Sequence, residues 1–564
     1  MVIQSRPCQD ARFDGFGVLR SVGLMRTPFT LPRFGLMSSE FCDVPMDPPH
    51  FAISPGSSEM PTAHAWGFVL NGVIGERVRI EVDISQGLPS VGVIGLADTT
   101  IGESRWRIRS AFSNSDAQWP SARMTIALSP ADLPKQGSGL DLAIAAAILA
   151  ATGQAGIREN TAFIGELGLD GSVRGVRGAI AAAAAARRSG LTCVVVSGDN
   201  AREVSSIPGL SVIIIRDLVH LIEVLAGRDQ SAEMPESSVL PALDVEPDLA
   251  DVRGHAYARF ALEVAAAGGH HVSMLGAPGV GKTLLARRLP GLLPDLGEAD
   301  SIDVTTIHSL AGRLLSGTGL VTRPPLAAPH HSATPPAMTG TARGRQVTPG
   351  VLTMAHGGVL FMDEAPEFSR HVLEVMREPI ETGSIMVTRA AGVIELPARF
   401  QLILASNPCP CGHAIGRGDL CTCTSLTRRR YAERLSGPLM DRVDVRVVVT
   451  RPSEAELLAT TAGESSAVVA ARVAEARDRA ALRFAECGWS VNSAIPTRAL
   501  RGDFAPTSDA VDLLRTAEQG ALSLRGSDRV LRVAWTIADC LGADRPDADH
   551  VSTALGLRGE LVSR

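Results

Sequence analysis

The sequence predicts a multidomain α/β protein that ends in a purely helical segment. Three observations predict it. Short apolar runs of strand character recur between helical stretches from Trp66 to Val449. One of them, Val272–Leu275, leads into a glycine-rich loop and then a helix. Beyond Arg451 the chain is Ala-rich, with Pro sparse until 496 and no strand pattern. At 564 residues, a norm of about 150 per domain suggests three to four domains.

Composition excludes several classes. Lys and Arg total 54 against 60 Asp and Glu, a net charge of −6. That excludes a globally basic nucleic-acid binder but not a local basic surface. The longest unbroken apolar stretch, Leu142–Ala151, is about half a membrane span, and no charged-then-apolar leader opens the chain. Nine cysteines are too few, and odd in number, for a disulfide scaffold, so a reduced, cytoplasmic setting is expected. Only Lys135 and Lys282 are lysines; the remaining basic residues are all Arg.

Residues 1–60 carry recurrent Pro with Gly and Ser and no lasting apolar period, so they read as a disordered tail. Residues 61–228 read as an α/β domain. Val78–Ile84 alternates strictly; Thr125–Leu128, Ala162–Ile164, Cys193–Val196 and Val212–Ile215 are further strands; Asp141–Ala151 and Ala179–Arg188 are helices. Residues 229–248, rich in Ser, Pro and acids, read as a linker. Residues 249–452 hold strands Val272–Leu275, Val359–Met362, Leu402–Ala405 and Val445–Val449 between helical stretches, the pattern of a parallel sheet. Residues 453–564 read as helical.

Chemistry concentrates in the second α/β segment. Gly276-Ala277-Pro278-Gly279-Val280-Gly281-Lys282-Thr283 is a complete phosphate loop after an apolar strand, opening a helix expected at Leu284–Leu289. Its glycines turn backbone N–H groups onto phosphate oxygens, Lys282 reaches the β/γ-phosphates, and Thr283 ligates Mg²⁺. The strand Val359–Met362 ends in Asp363-Glu364. Asp363 suits the Mg²⁺ surroundings and Glu364 the general base that activates water. A third strand, Leu402–Ala405, runs into Asn407, an amide able to hold that water by hydrogen bonding. Cys409, Cys411, Cys421 and Cys423 fall within fifteen residues, and the Gly-x-Gly at 416–418 would let the loop fold back. Four thiolates so placed can close a tetrahedral Zn²⁺ site, with His413 a substitute ligand. Their C-x-C spacing leaves reduced cysteines on a polar loop as the other reading.

This order of phosphate loop, acid pair and Asn resembles an AAA+ ATPase, and its wording resembles the magnesium-chelatase-like AAA+ proteins of the YifB/ComM family. The resembling segments include Asp251–His255, Ala328–Ser332, Gly358–Phe368, Pro397–Phe400, Asn407–Gly412 and Ser436–Asp444, and the likeness runs from about Ala65 to the C-terminus. The family pattern usually has Gln where this chain has His255. The resemblance implies ATP and Mg²⁺ as cofactors and a homo-oligomeric, hexameric ring. It implies that Arg442 is a trans-acting arginine finger. It places the second sensor at Arg525, with Arg529 and Arg532 as nearby rivals. It also implies two pore elements. One is the insertion Ala328–Gly350, with His330, His331, Arg343 and Arg345; the other is a hairpin around Ile385–Glu395 carrying Arg389.

The first domain resembles a Lon-protease-like domain, from Pro134–Gly139 and Gly165–Ile180, but the nucleophile position holds Gly139 and the lysine position Ile180. A Ser–Lys dyad needs both groups, so a non-peptidase scaffold is expected, with Ser138 one residue displaced and Lys135 a loop charge. Arg472, Arg477, Arg479 and Arg483 in Ala470–Phe484 read as a solvated helical face or a DNA or subunit contact. The family resemblance implies a DNA branch-migration motor in recombination or natural transformation, acting on branched or single-stranded DNA, with no membrane. A chelatase-like or chaperone-like motor remodelling a protein partner is the alternative.

Overall fold

The computed structural model describes residues 63–559 apart from 96–97, 116, 236–245, 315–318, 344–345, 390–391, 415–419, 436, 455, 457–462 and 521. The tail expected over 1–60, half of the linker (236–245) and the Gly-x-Gly at 416–418 lie outside the described residues.

The alternation at Val78–Ile84 is the pleat of a long strand, Ile74–Ser85. Val78, Ile80 and Val82 are buried, while Arg79 and Glu81 face outward and pair at 3.1 Å. It belongs to a seven-stranded mixed sheet ordered Ser90–Ile94, Arg123–Ser129, Ile74–Ser85, Ala63–Asn71, Thr161–Ile164, Cys193–Ser197, Ser211–Ile215. Asp141–Ala151 and Ala179–Arg188 are helices with the bounds expected from sequence. They cover opposite faces: Phe163 lies in the core beneath the first, and its neighbours Ala162 and Ile164 in the core beneath the second. Alanine suits both helices because they lie close on the strands. A Cβ on Gly75 would come within 2.6 Å of the Ala181 carbonyl.

The helix Ala179–Arg188 also carries this sheet onto the next part of the chain. It packs against Glu298–Leu310, with Ile302 buried in the same apolar core. The Gly178 amide donates to Ser309 Oγ at 2.8 Å, and Arg187 pairs with Glu298 at 2.7 Å.

The second sheet has five strands, all parallel, in the order Leu326–Ala327, Val359–Met362, Gln401–Ser406, Val272–Leu275, Val445–Val448. The edge strand Leu326–Ala327 has only two residues, set among prolines at 324, 325 and 329, and no period announced it. The helix after the phosphate loop begins two residues earlier than expected, at Lys282, and ends at Ala286. A 3₁₀ turn, Pro290–Leu292, follows and keeps the helix short.

Helices Ser466–Arg483, Leu524–Leu541 and Ala548–Leu557 share one apolar core with Ala256–Gly268 and the strands Val272–Leu275 and Val445–Val448. The tail arginines tie this core together, while Arg479 stays exposed and Arg472 partly so. Arg472 holds Glu263 at 2.7 Å and Glu464 at 2.7 Å. Arg477 donates to the Ala266 carbonyl, Arg479 to the Asp539 carbonyl, and Arg483 to the Asp539 carboxylate.

Asp444 is the central polar group of this core. It is buried, accepts from Arg529 at 2.8 Å, and lies 3.2 Å from His270 Nδ1, whose Nε2 meets Thr536 Oγ1 at 2.7 Å. Burial alone would raise its carboxyl; Arg529 and His270 overrule that and hold it well below the ordinary carboxylate range. Its stabilisation is therefore present from the ordinary carboxylate pKa upward and is lost only as pH falls far below it. Asp444→Asn strands the Arg529 charge in the core, a lesion on the order of 3–5 kcal/mol. The expected result is a thermal midpoint lower by several degrees at neutral pH; an unchanged midpoint would mean that the pair contributes nothing net.

Candidate active site

The parallel register of the sheet brings three strand ends together. Leu275 pairs with Ser406, and Met362 with Leu404, so Gly276, Asp363 and Asn407 emerge side by side at the carboxyl edge. Crevices at this edge are where open α/β sheets bind ligands. Gly276 has no room for a side chain, since a Cβ would lie 2.5 Å from the Val449 carbonyl. Gly281, at φ +100°, turns the chain into the helix Lys282–Ala286.

The Lys282 ammonium is folded inward. It donates to the carbonyls of Gly276 at 2.6 Å and Ala277 at 2.9 Å and to Asn407 Oδ1 at 3.0 Å. Burial lowers its pKa, against the pull of Asp363 and Glu364. Thr283 Oγ1 donates to Asp363 Oδ2 at 2.7 Å. A hydroxyl and a carboxylate in contact beside a phosphate loop are a hard-oxygen donor set, which fits Mg²⁺. Glu364 stands next to this pair. Its backbone amide donates to Asp363 Oδ1 at 3.0 Å, and its carboxylate is 3.5 Å from His331 Nδ1.

Backbone strain marks the same place. Among the described residues, two that are not glycine have positive φ: Glu364 at 50° and His255 at 57°. Such conformers cost about 1–3 kcal/mol and persist where surrounding structure imposes them, often at active sites. The His255 ring faces the loop, 3.3 Å from where a Cβ on Gly281 would stand, and burial lowers its pKa. Sequence reasoning placed His331 only in the insertion and missed its link to Glu364. The His330-His331 pair was the signal, but nothing in its spacing names a partner.

Arg442 follows the short helix Gly437–Met440, is only 15% exposed, donates to the Pro438 carbonyl and pairs with Glu381. Arg525 is exposed in the first turn of Leu524–Leu541. Its rivals are committed elsewhere, Arg529 to Asp444 and Arg532 to the Ile495 carbonyl.

The four cysteines converge. Their sulfurs all lie within 4.8 Å of one another, with Cys409–Cys411 at 3.3 Å, Cys411–Cys421 at 3.7 Å and Cys409–Cys421 at 3.8 Å. All four are free of disulfides. The backbone amide of His413 is the main cause of a Cys411 thiol lowered to about 5.

Both expected pore elements contain hairpins, Gly340–Arg343 with Gln346–Pro349 and Ser384–Arg389 with Gly392–Pro397. Arg345 and the side chains of Arg343 and Arg389 lie outside what is described. In the first domain Ser138 Oγ donates to Glu166, and Ile180 is buried. Lys135 is not a loop charge: it is wholly buried, its ammonium capped by the Pro130 carbonyl, and burial lowers its pKa.

Comparison with known proteins identifies the family. The family "Magnesium chelatase, subunit ChlI" matches residues 248–457, "Subunit ChlI of Mg-chelatase" residues 80–200, and "Magnesium chelatase, subunit ChlI C-terminal" residues 463–558. YifB of Escherichia coli is 40% identical over 490 residues, covering 86% of this chain and 95% of YifB. Competence protein ComM of Haemophilus influenzae is 37% identical over 495 residues, covering 86% of this chain and 95% of ComM. An uncharacterized protein of Mycobacterium tuberculosis is 48% identical over 509 residues, covering 88% of this chain and 99% of its own length. With its phosphate loop, acid pair and Asn at adjacent strand ends, and relatives matched along nearly their whole length, the chain belongs to the magnesium-chelatase-like AAA+ family of YifB and ComM.

Proposed function

We propose that this chain is an ATP-hydrolysing motor that works on branched or single-stranded DNA as a homo-hexameric ring in the cytoplasm. The observation that carries the ATPase reading is the meeting of Lys282, Thr283, Asp363, Glu364 and Asn407 at the ends of three adjacent strands. The loop Gly276, Ala277, Pro278, Gly279, Val280, Gly281 cradles the phosphates. Lys282 exchanges its loop carbonyls for β/γ-phosphate oxygens. Thr283 and Asp363 would hold Mg²⁺, which would supply charge neutralisation to the phosphates. Glu364 takes the proton of the attacking water, and Asn407 orients that water. Arg442 reaches a neighbouring subunit's γ-phosphate, and Arg525 reaches the nucleotide of its own chain.

Residues 61–228 serve as a non-peptidase scaffold, 249–452 as the ATPase core and 453–564 as its helical lid. No helix among the described residues is long and apolar enough to cross a membrane. Zn²⁺ is the ion proposed for Cys409, Cys411, Cys421 and Cys423. Thiolate ligands suit it, and four sulfurs about one centre with bonds of about 2.3 Å sit about 3.8 Å apart, close to two of the separations above.

The DNA reading rests on the relative named for competence and on the two hairpins. Forked DNA added to the full chain should raise the ATPase rate, and binding should weaken steeply as salt rises, because phosphate contacts release counterions. An ATPase indifferent to DNA but raised by a protein partner would refute the DNA assignment and leave the ATPase standing.

A further inference from the structure

We propose that the four-cysteine loop is a metal clasp on the phosphate loop, so that Zn²⁺ bound there sets the affinity of the ATP site for nucleotide. This inference rests on the zinc reading above and adds a connection between two sites.

The connection has two arms. The first runs through Asn407, two residues before Cys409, whose Oδ1 accepts from the Lys282 ammonium at 3.0 Å. The second runs through Gly412, which sits between the first pair of cysteines and the rest of the loop. Its backbone turns at φ +82°, and its amide donates to the Cys409 carbonyl at 2.9 Å. That turn lays Gly412 against the phosphate loop. A Cβ there would lie 2.4 Å from Pro278 Cδ and 2.5 Å from Pro278 Cγ. The cysteine loop therefore touches the nucleotide machinery at the tip of the phosphate loop and at its lysine.

The described parts of the cysteine loop meet at their four sulfurs. Of the four cysteines Cys409 alone is buried; the other three are partly exposed. Ligation removes a proton from each thiol and joins four points of the loop at one centre. Without the ion, the Cys409–Cys411 turn and the strand-end Asn407 lose their tie to Cys421 and Cys423. Pro278 then loses its backstop and Lys282 its fixed amide partner.

The test uses full-length protein purified in reducing buffer without added metal. Elemental analysis should find one zinc per chain. Binding of a fluorescent ADP analogue, with no turnover, is then measured before zinc removal, after removal with Mg²⁺ restored, and after refilling with zinc chloride. Affinity should fall about tenfold on removal and return on refilling. Gly412→Ala leaves all four thiols in place but imposes a side chain at positive φ against Pro278. It should keep its zinc and still bind the analogue about tenfold more weakly, the scale of such backbone strain. Absence of zinc would overturn the proposal together with the zinc reading. Zinc present, with analogue affinity the same before and after removal, would overturn the clasp alone. The wild-type removal and refilling decides the matter even where Gly412→Ala proves unstable.

Discussion

Glu364→Gln is expected to bind ATP and stall, with hydrolysis slowed by about 10²–10⁴-fold, the scale of a lost general base. Gln keeps the shape of Glu, so the left-handed backbone at residue 364 and the Asp363 contact of its amide are retained. The one ion pair it gives up, to His331, joins two exposed side chains and is worth about 0–1 kcal/mol. Thermal stability should therefore barely move while turnover collapses. Lys282→Ala should behave differently and lose ATP binding itself. It removes the cation of the phosphate cradle and the tie between Gly276, Ala277 and Asn407. Nucleotide binding and single-turnover hydrolysis, measured side by side, separate the two lesions. Wild-type hydrolysis by Glu364→Gln would remove Glu364 from the mechanism.

Arg442→Ala is expected to keep nucleotide affinity and to cut hydrolysis by about 10³-fold or more, the scale of an arginine finger. Within one chain the guanidinium is parked on Glu381 and the Pro438 carbonyl. Glu381 is itself largely exposed, so its loss of a partner costs little stability. A thermal melt run beside the kinetics separates lost chemistry from unfolding, because Arg442 itself is largely buried. Mixing Arg442→Ala with Glu364→Gln subunits should restore part of the activity, because some interfaces then combine an intact base with an intact finger. Rings of confirmed size that show no restoration would count against action in trans.

Much of this molecule was legible in its sequence because the relevant signals are local. Strands such as Ile74–Ser85 announce themselves by their own alternation, and the phosphate loop by its own glycines. The helix Thr99–Asn114 was missed; its polar residues dominate and its apolar positions are few. What stayed hidden was pairing across long separations. Nothing near Arg472 names Glu263, and nothing near Arg442 names Glu381; folding alone brings them together. Asp444 was read as one letter of a motif, yet it joins the sheet to the helices through Arg529 and His270. Lys135 looked like a loop charge because its neighbours Pro134 and Gln136 suggest a turn, while its burial depends on the Pro130 carbonyl above it.

The two lysines are both buried, at 0% exposure for Lys135 and 7% for Lys282. Every positively charged side chain at the surface other than histidine is therefore a guanidinium. Guanidinium keeps its proton at every pH a protein survives, whereas an ammonium discharges as alkali is added. The arginine charge on this surface should thus hold constant on titration from neutrality to about pH 10, where a lysine-rich surface would already be losing charge. Reagents that acylate amines should likewise leave it unchanged, and any grip on a polyanion that depends on it should survive both treatments.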